Sequence, residues 1–241
     1  MKYIKISIVV LLLSTILPVL TLRWVDPPTT SFMVQHMIKT RGEKRVDTGI
    51  YYSWVNWNNI SPYAPLAVVA AEDQKFPSHW GFDRESISKA WQERRQGIRS
   101  RGASTITQQV AKNLFLWPGK SFVRKGAEAY FTVLIELLWS KERILEVYLN
   151  IAQFGDGIYG IGAAGPIFFG KSALQLSRRE CALMATVLPN PLRLRLDKPS
   201  SYMRQRALWI ITEMNRLDHI HPKPYLQSIS KRVHNLLSGL T

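Results

Sequence analysis

A chain of 241 residues with 46% hydrophobic and 20% charged side chains can build one good core, with or without an appendage, which excludes an intrinsically disordered protein. Its net charge of +15 points to an anionic partner, whether nucleic acid, an anionic membrane surface or a phosphorylated substrate. A single cysteine, Cys181, excludes an intramolecular disulfide, and its apolar helical setting from Glu180 to Ala185 reads as a buried hydrophobe rather than a nucleophile.

The first predicted element is a membrane anchor. Ile6 to Leu22 carries no charge and is mostly Ile, Val and Leu. A helix over this stretch spans roughly 26 Å at about 1.5 Å per residue, the short end of what crosses a bilayer. Lys2 and Lys5 keep residues 1–5 cytoplasmic by the positive-inside rule, although Arg23 on the other side weakens that vote. Thr21-Leu22-Arg23-Trp24-Val25 offers no small-x-small cleavage site, and Trp24 suits an interfacial position. The expectation is therefore an uncleaved anchor at 6–22 with the rest of the chain outside the cytoplasm, which argues against nucleic acid as the partner.

Residues 23–45 read as a membrane-proximal linker and amphipathic segment. Asp26 to Thr30 is short and stiff, and Phe32, Met33, Val34, Met37 and Ile38 fall largely on one helical face. That face suits either core packing or the membrane interface. Residues 46–60, dense in aromatics and asparagines, read as extended or irregular. The remaining chain, 46–241, reads as one mainly α domain with few strand signals. Helices are expected from Tyr63, from Asp83 to about Arg95, over Ile106–Phe115, from Ser121 to about Trp139, over Lys141–Leu149 with Asn150 as a C-terminal cap, over Ser177–Leu188, and at about 199–217 and 222–237. Thr105 with Gln108 fits a capping box. Residues 94–102 form a basic, glycine-punctuated loop.

The small apolar run Ala64 to Ala71, broken only by Pro65, delivers two adjacent carboxylates, Glu72 and Asp73, at its end. Acids emerging from an apolar element are candidates for an acid or base with a raised pKa. A solvated helix end, its acids held by Lys75, stays open on these residues alone. Downstream, Gln108 and Lys112 share one helix face, and Arg124 and Glu128 share another. Such spacing serves surface pairs, or a patch of cations and amides able to bind and expel a phosphate group. Gly155-x-Gly157-x-x-Gly160 matches a dinucleotide fingerprint but follows a helix, so tight turns are the better reading. Ser86-x-x-Lys89 and Ser228-x-x-Lys231 lack the companion motifs of a penicillin-binding transpeptidase. No histidines and cysteines have zinc-site spacing.

In this order the motifs resemble the peptidoglycan glycosyltransferases of glycosyltransferase family 51, in the monofunctional form with an anchor and no transpeptidase domain. Glu72-Asp73-x-x-Phe76-x-x-His79-x-Gly81 looks like the first motif, and Gly102-Ala103-Ser104-Thr105-Ile106-Thr107-Gln108-Gln109 like the second. Arg124-Lys125-x-x-Glu128 looks like the third, and Lys141-x-x-Ile144-Leu145-Glu146-x-Tyr148-Leu149-Asn150 like the fourth, to which a structural role is assigned. Gly155-x-Gly157-x-Tyr159-Gly160 with Phe169-Gly170-Lys171 matches the region that follows. Ala103 replaces a usual glycine and Phe168 a common tyrosine, and neither removes a catalytic atom.

The resemblance implies a lysozyme-like helical domain that polymerises lipid II into β-1,4-linked glycan strands with inversion. It implies Glu72 as the base that takes a proton from the acceptor's 4-hydroxyl. It places Lys112, Arg124 and Lys125, with Lys120 as a weaker candidate, on the leaving diphosphate. Thr105 and Gln109 donate hydrogen bonds, and Phe76, Ser104 and Gln108 complete the substrate-binding set. Asp73 and His79 hold the Glu72 loop. Glu128, the second family glutamate, orients the cations or a Mg²⁺ or Mn²⁺ ion, although no dedicated metal cage is evident. Expected partners are lipid II, the growing strand, membrane lipid and, as candidates, cell-wall synthesis or division proteins. The expected place is the outer face of the bacterial inner membrane. A muramidase or lytic transglycosylase, cutting glycan with one glutamate, is the main alternative; it would not need the cationic set. A non-enzymatic membrane-anchored binder is the other.

Overall fold

The computed structural model describes residues 2–42, 49–97, 104–119 and 121–220. The apolar N-terminal run is helical as α1, Lys2–Thr21. Among the described residues no helix is long and apolar enough to cross a membrane. The last turn of α1 packs on the domain: Val19 is buried, and its carbonyl, one of those a helix end leaves without an intrahelical partner, accepts from Trp139 Nε1 at 2.8 Å. The chain then passes Arg143. This side chain donates to the carbonyls of Leu22 and Val25, pairs with Asp26 and Glu146, and lies over the Trp54 ring.

Helix α2, Ser31–Gly42, starts where the Thr30 hydroxyl accepts from Met33 N. Its expected apolar face divides. Met33 is buried, whereas Val34 and Ile38 point outward. Strand β1, Tyr51–Tyr52, and a short 3-10 turn at Trp57–Asn59 are the regular elements among the described residues of the predicted irregular stretch. Helix α3, Tyr63–Glu72, is central: Ala64 through Ala70 are all buried. Then come α4, Arg84–Arg95, α5, Ile106–Phe115, α6, Phe122–Leu138, and α7, Lys141–Ile151. Most of the basic loop falls outside the described residues, as do Lys120 and the helix expected at 222–237.

Strands β2, Gln153–Gly155, and β3, Ile158–Tyr159, join β1 in a small sheet ordered β1-β3-β2, with β1 parallel and β2 antiparallel to β3. The glycine run that mimicked a dinucleotide fingerprint builds this hairpin. At Gly160 a Cβ would sit 2.3 Å from the Asn150 carbonyl, at a φ of +78°, so no other residue fits. The fold closes with α8, Ile161–Phe169, α9, Arg178–Ala185, and α10, Ser201–Ile220. α3 is enclosed by α7, α9 and α10, and α5 packs against α6 and α7. Cys181 is buried on α9, and burial pushes its thiol up to about 12, which fits its reading as a hydrophobe.

Asn150 needs correcting. It is not a cap. It lies within α7, fully buried, with its side chain accepting from Val55 N at 2.8 Å and donating to the carbonyls of Val55 and Glu146 at 2.9 Å each. Its amide pairs an otherwise irregular segment to the core as a strand would. Asn150→Ala leaves the Val55 amide and carbonyl without these partners. The expected cost is about 1–3 kcal/mol, seen as a lower Tm in thermal unfolding.

Candidate active site

Glu72 is the last residue of α3 and is half-buried. The helix runs through the core because its residues are small and apolar, so its C-terminal carboxylate arrives among packed elements rather than in open water. Oε2 accepts from Gln109 Nε2 at 2.8 Å, and Gln109 Oε1 accepts from the buried Tyr148 hydroxyl at 3.2 Å. Burial raises the Glu72 pKa, and Asp73 adds to the rise; Gln109, Arg206 and Lys112 oppose it.

Asp73 turns away from Glu72. Its carboxylate takes His79 Nε2 at 2.8 Å and the first backbone N–H of α5, from Ile106, at 3.0 Å. It thereby ties the end of α3 to the positive end of α5. The predicted capping box is present at Thr105 and Gln108. The Thr105 hydroxyl also donates to Gly81 O at 2.7 Å. Gly81 has φ +74°, and a Cβ there would come within 2.5 Å of Thr132 Cγ2, so the turn closes only with glycine. Below the turn, Lys141 donates to His79 O and to Glu136, and its ammonium lies 4.3 Å from the Phe76 ring centroid. The loop from 73 to 81 is thus braced by α5, α6 and α7.

The cations sit on α5 and α6. Lys112, one turn beyond Gln109, has its pKa lowered by burial; Glu128 and, more weakly, Glu72 raise it, while Arg124 and Lys125 lower it further. Lys112 is therefore the group that feels both glutamates. In the first turns of α6, Arg124 bonds Glu128 Oε2 at 2.7 Å and Lys125 bonds Oε1. Glu128 is 3% exposed and Lys125 49%. Arg124 Nε is buried with no partner among the described residues.

Two hollows flank this arrangement. One, of about 270 Å³, is lined by Glu72, Asp73, Ser104, Thr105, Arg206 and Trp209, among others. The other, of about 180 Å³, is lined by Gln109, Lys112, Tyr148 and Tyr159 among others. Gln109 connects them, because it bonds Glu72 and lines the second hollow.

A family model described as transglycosylase matches residues 41–215, which contain every one of these groups. The chain belongs to the peptidoglycan glycosyltransferase family, family 51. Named relatives agree in length and sequence. A biosynthetic peptidoglycan transglycosylase of Xanthomonas campestris pv. campestris (strain B100) is 49% identical over 204 residues, 85% of this chain and 83% of the relative. One from Shewanella oneidensis is 49% identical over 210 residues, covering 87% and 89%. One from Pseudomonas putida (strain GB-1) is 51% identical over 206 residues, covering 85% and 86%.

In this glycosyltransferase Glu72, Asp73, Ser104, Thr105, Gln109 and Lys112 line the hollows. Phe76, His79, Gln108, Arg124, Lys125 and Glu128 do not. Phe76 is fully buried under Lys141, and Gln108 is spent on the helix cap, so both shape the site from behind. Asp73 and His79 bond to one another within the loop that follows Glu72. Among the described residues no group of histidine, cysteine or acidic side chains could hold a metal ion, and both Glu128 oxygens are taken by Arg124 and Lys125. These residues do not fit a protein-held divalent cation. Tyr148, read as core, also orients Gln109. Arg206 and Trp209 lie in the helix expected at about 199–217, and nothing local in the sequence distinguishes a helix that happens to face Glu72.

Proposed function

We propose that this glycosyltransferase polymerises lipid II into β-1,4-linked glycan strands and releases undecaprenyl diphosphate. One observation carries the reading: a half-buried carboxylate, held by Gln109, is within electrostatic reach of a half-buried lysine that also feels the second glutamate. The acceptor's 4-hydroxyl oxygen forms a bond to C1 of the growing strand's terminal sugar. The bond from C1 to the diphosphate oxygen breaks with its electron pair, and the hydroxyl proton passes to Glu72. The departing diphosphate gains charge, which in this reading Lys112 balances, with Arg124 and Lys125 of the neighbouring helix adding to the positive field. Attack and departure on opposite faces of C1, with no enzyme nucleophile between them, would invert that centre. A Mg²⁺ or Mn²⁺ ion would arrive with the diphosphate rather than in a protein cage.

Membrane attachment belongs to the same proposal. Val9, Val10, Leu13 and Leu17 on α1 face outward, and so do Phe122, Val123 and Leu137 on α6, which α1 contacts. Exposed apolar residues on two contacting helices suit lipid on the outer face of the inner membrane, with both lipid-linked substrates confined to the same plane.

Detergent-solubilised protein incubated with lipid II is expected to give long glycan, resolved by size. Release of muropeptides from finished glycan, without polymer, would instead establish a lytic enzyme. In the same assay Lys112→Ala is expected to weaken binding of a diphosphate-bearing inhibitor by roughly tenfold or more, as for loss of about 1.5–3 kcal/mol from a charged hydrogen bond. Unchanged inhibitor affinity would remove Lys112 from the leaving-group site.

A further inference from the structure

The hollow of about 270 Å³ that opens on Glu72 is walled on one side by α10, through Arg206 and Trp209. Trp209 is 37% exposed, so part of its indole is open to a ligand. The Arg206 guanidinium lies 3.9 Å from the Trp209 ring centroid and donates to the Ala71 carbonyl at 3.2 Å, one residue before Glu72. This contact fixes the indole plane relative to the end of α3. A second fastening comes one turn further on α10. Gln74 donates to Glu213 at 3.3 Å and accepts from Arg216 at 2.7 Å. The wall is thus tied to both sides of the Glu72–Asp73 step.

The chemistry of the hollow argues against a diphosphate. It holds the carboxyl groups of Glu72, Asp73 and Asp83. The Asp83 carboxylate caps α4 and accepts from Ser86 at 2.5 Å. Lys75 pairs with Glu85. Lys112 lines the other hollow. A neutral, hydroxyl-rich ligand fits better. A pyranose offers a C–H face to an aromatic ring and hydroxyls to Ser86, Ser104 and the acids. It is also the ligand whose hydroxyl Glu72 must reach.

We infer that Trp209, oriented by Arg206, is the platform on which the acceptor's terminal amino sugar stacks while Glu72 takes its 4-hydroxyl proton. The inference rests on the lipid II reading above. It assigns to the last described helix a role in acceptor selection. Trp209 contacts the sugar, and Arg206 is a positioning residue that holds the ring.

Two measurements test it. With lipid II, Trp209→Ala is expected to raise KM about tenfold with a smaller change in kcat, and Trp209→Phe to recover most of the loss. Tm and the affinity for a diphosphate-bearing inhibitor are expected to stay at the wild-type values. An unchanged KM overturns the inference, and so does a parallel loss of inhibitor affinity, which would make the ring a mere prop. The second measurement avoids the reaction. The Trp209 indole N–H resonance, assigned by its loss in Trp209→Phe, is followed while the N-acetylglucosamine disaccharide is added to tens of millimolar, on the order of weak sugar affinities. A saturable shift supports the platform, and no shift overturns it even if the protein polymerises lipid II. A saturable shift in a protein that makes no polymer would leave the sugar platform standing and overturn the proposed polymerase activity instead.

Discussion

Glu72→Gln is expected to fold and to lose polymerisation of lipid II by about 10²–10⁴-fold, the range of general-base contributions. The amide keeps the shape of the side chain and can still bond to Gln109, but it cannot take the acceptor's proton. The pH dependence follows from the burial of Glu72, which raises its pKa from the ordinary glutamate value. A base works ionised, so wild-type kcat/KM should fall as the pH drops through this raised value, and the acid limb should lie higher than for an exposed glutamate. Stability runs the other way. A carboxyl whose pKa is raised on folding favours the folded state while protonated. That contribution is present below the unfolded pKa and is lost as the pH rises through the folded one. At neutral pH the glutamine variant should therefore be at least as stable as the wild type. Thermal unfolding at two pH values, beside lipid II turnover, checks both statements. A variant with wild-type turnover would remove Glu72 as the base.

Glu128→Gln is expected to be the second most damaging change, with a different signature. Glu128 is 3% exposed and holds both Arg124 and Lys125. Neutralising it leaves the largely buried Arg124 without its counter-charge. Breaking a buried pair costs about 3–5 kcal/mol, and the half-exposed Lys125 brings the expected loss nearer 2–4 kcal/mol. Its effect on activity passes through Lys112. Burial already lowers the Lys112 pKa, and Glu128 is the strongest influence raising it. Without Glu128 the ammonium should lose its proton at lower pH, so the basic limb of kcat/KM should move down. A loss of stability with no movement of that limb would confine Glu128 to a structural role.

The fold was legible where one residue type has one use. Thr105 and Gln108 predicted a helix start because their capping box is local chemistry. The run Ala64–Ala71 predicted a buried helix because small apolar residues have little other use. Asn150 was misread because a polar residue at a helix end usually caps it. Here its amide reaches Val55, far away in the chain, and no local pattern carries that pairing. The site shows the same division. Glu72, Lys112 and Arg124 lie in motifs with a chemical pattern of their own. Phe76 and Gln108 share those motifs, yet their side chains turn inward, which depends on how α5 and α7 pack around the loop. Arg206 and Trp209 lie in a helix of ordinary composition and become part of the site only when α10 closes on α3.

Arg143 has a mechanical consequence. Because one guanidinium grips the carbonyls of Leu22 and Val25 and also pairs with Glu146 inside α7, the joint between α1 and the domain has little slack. Whatever holds α1 therefore sets the tilt of the cleft as well, and the two turn as one body.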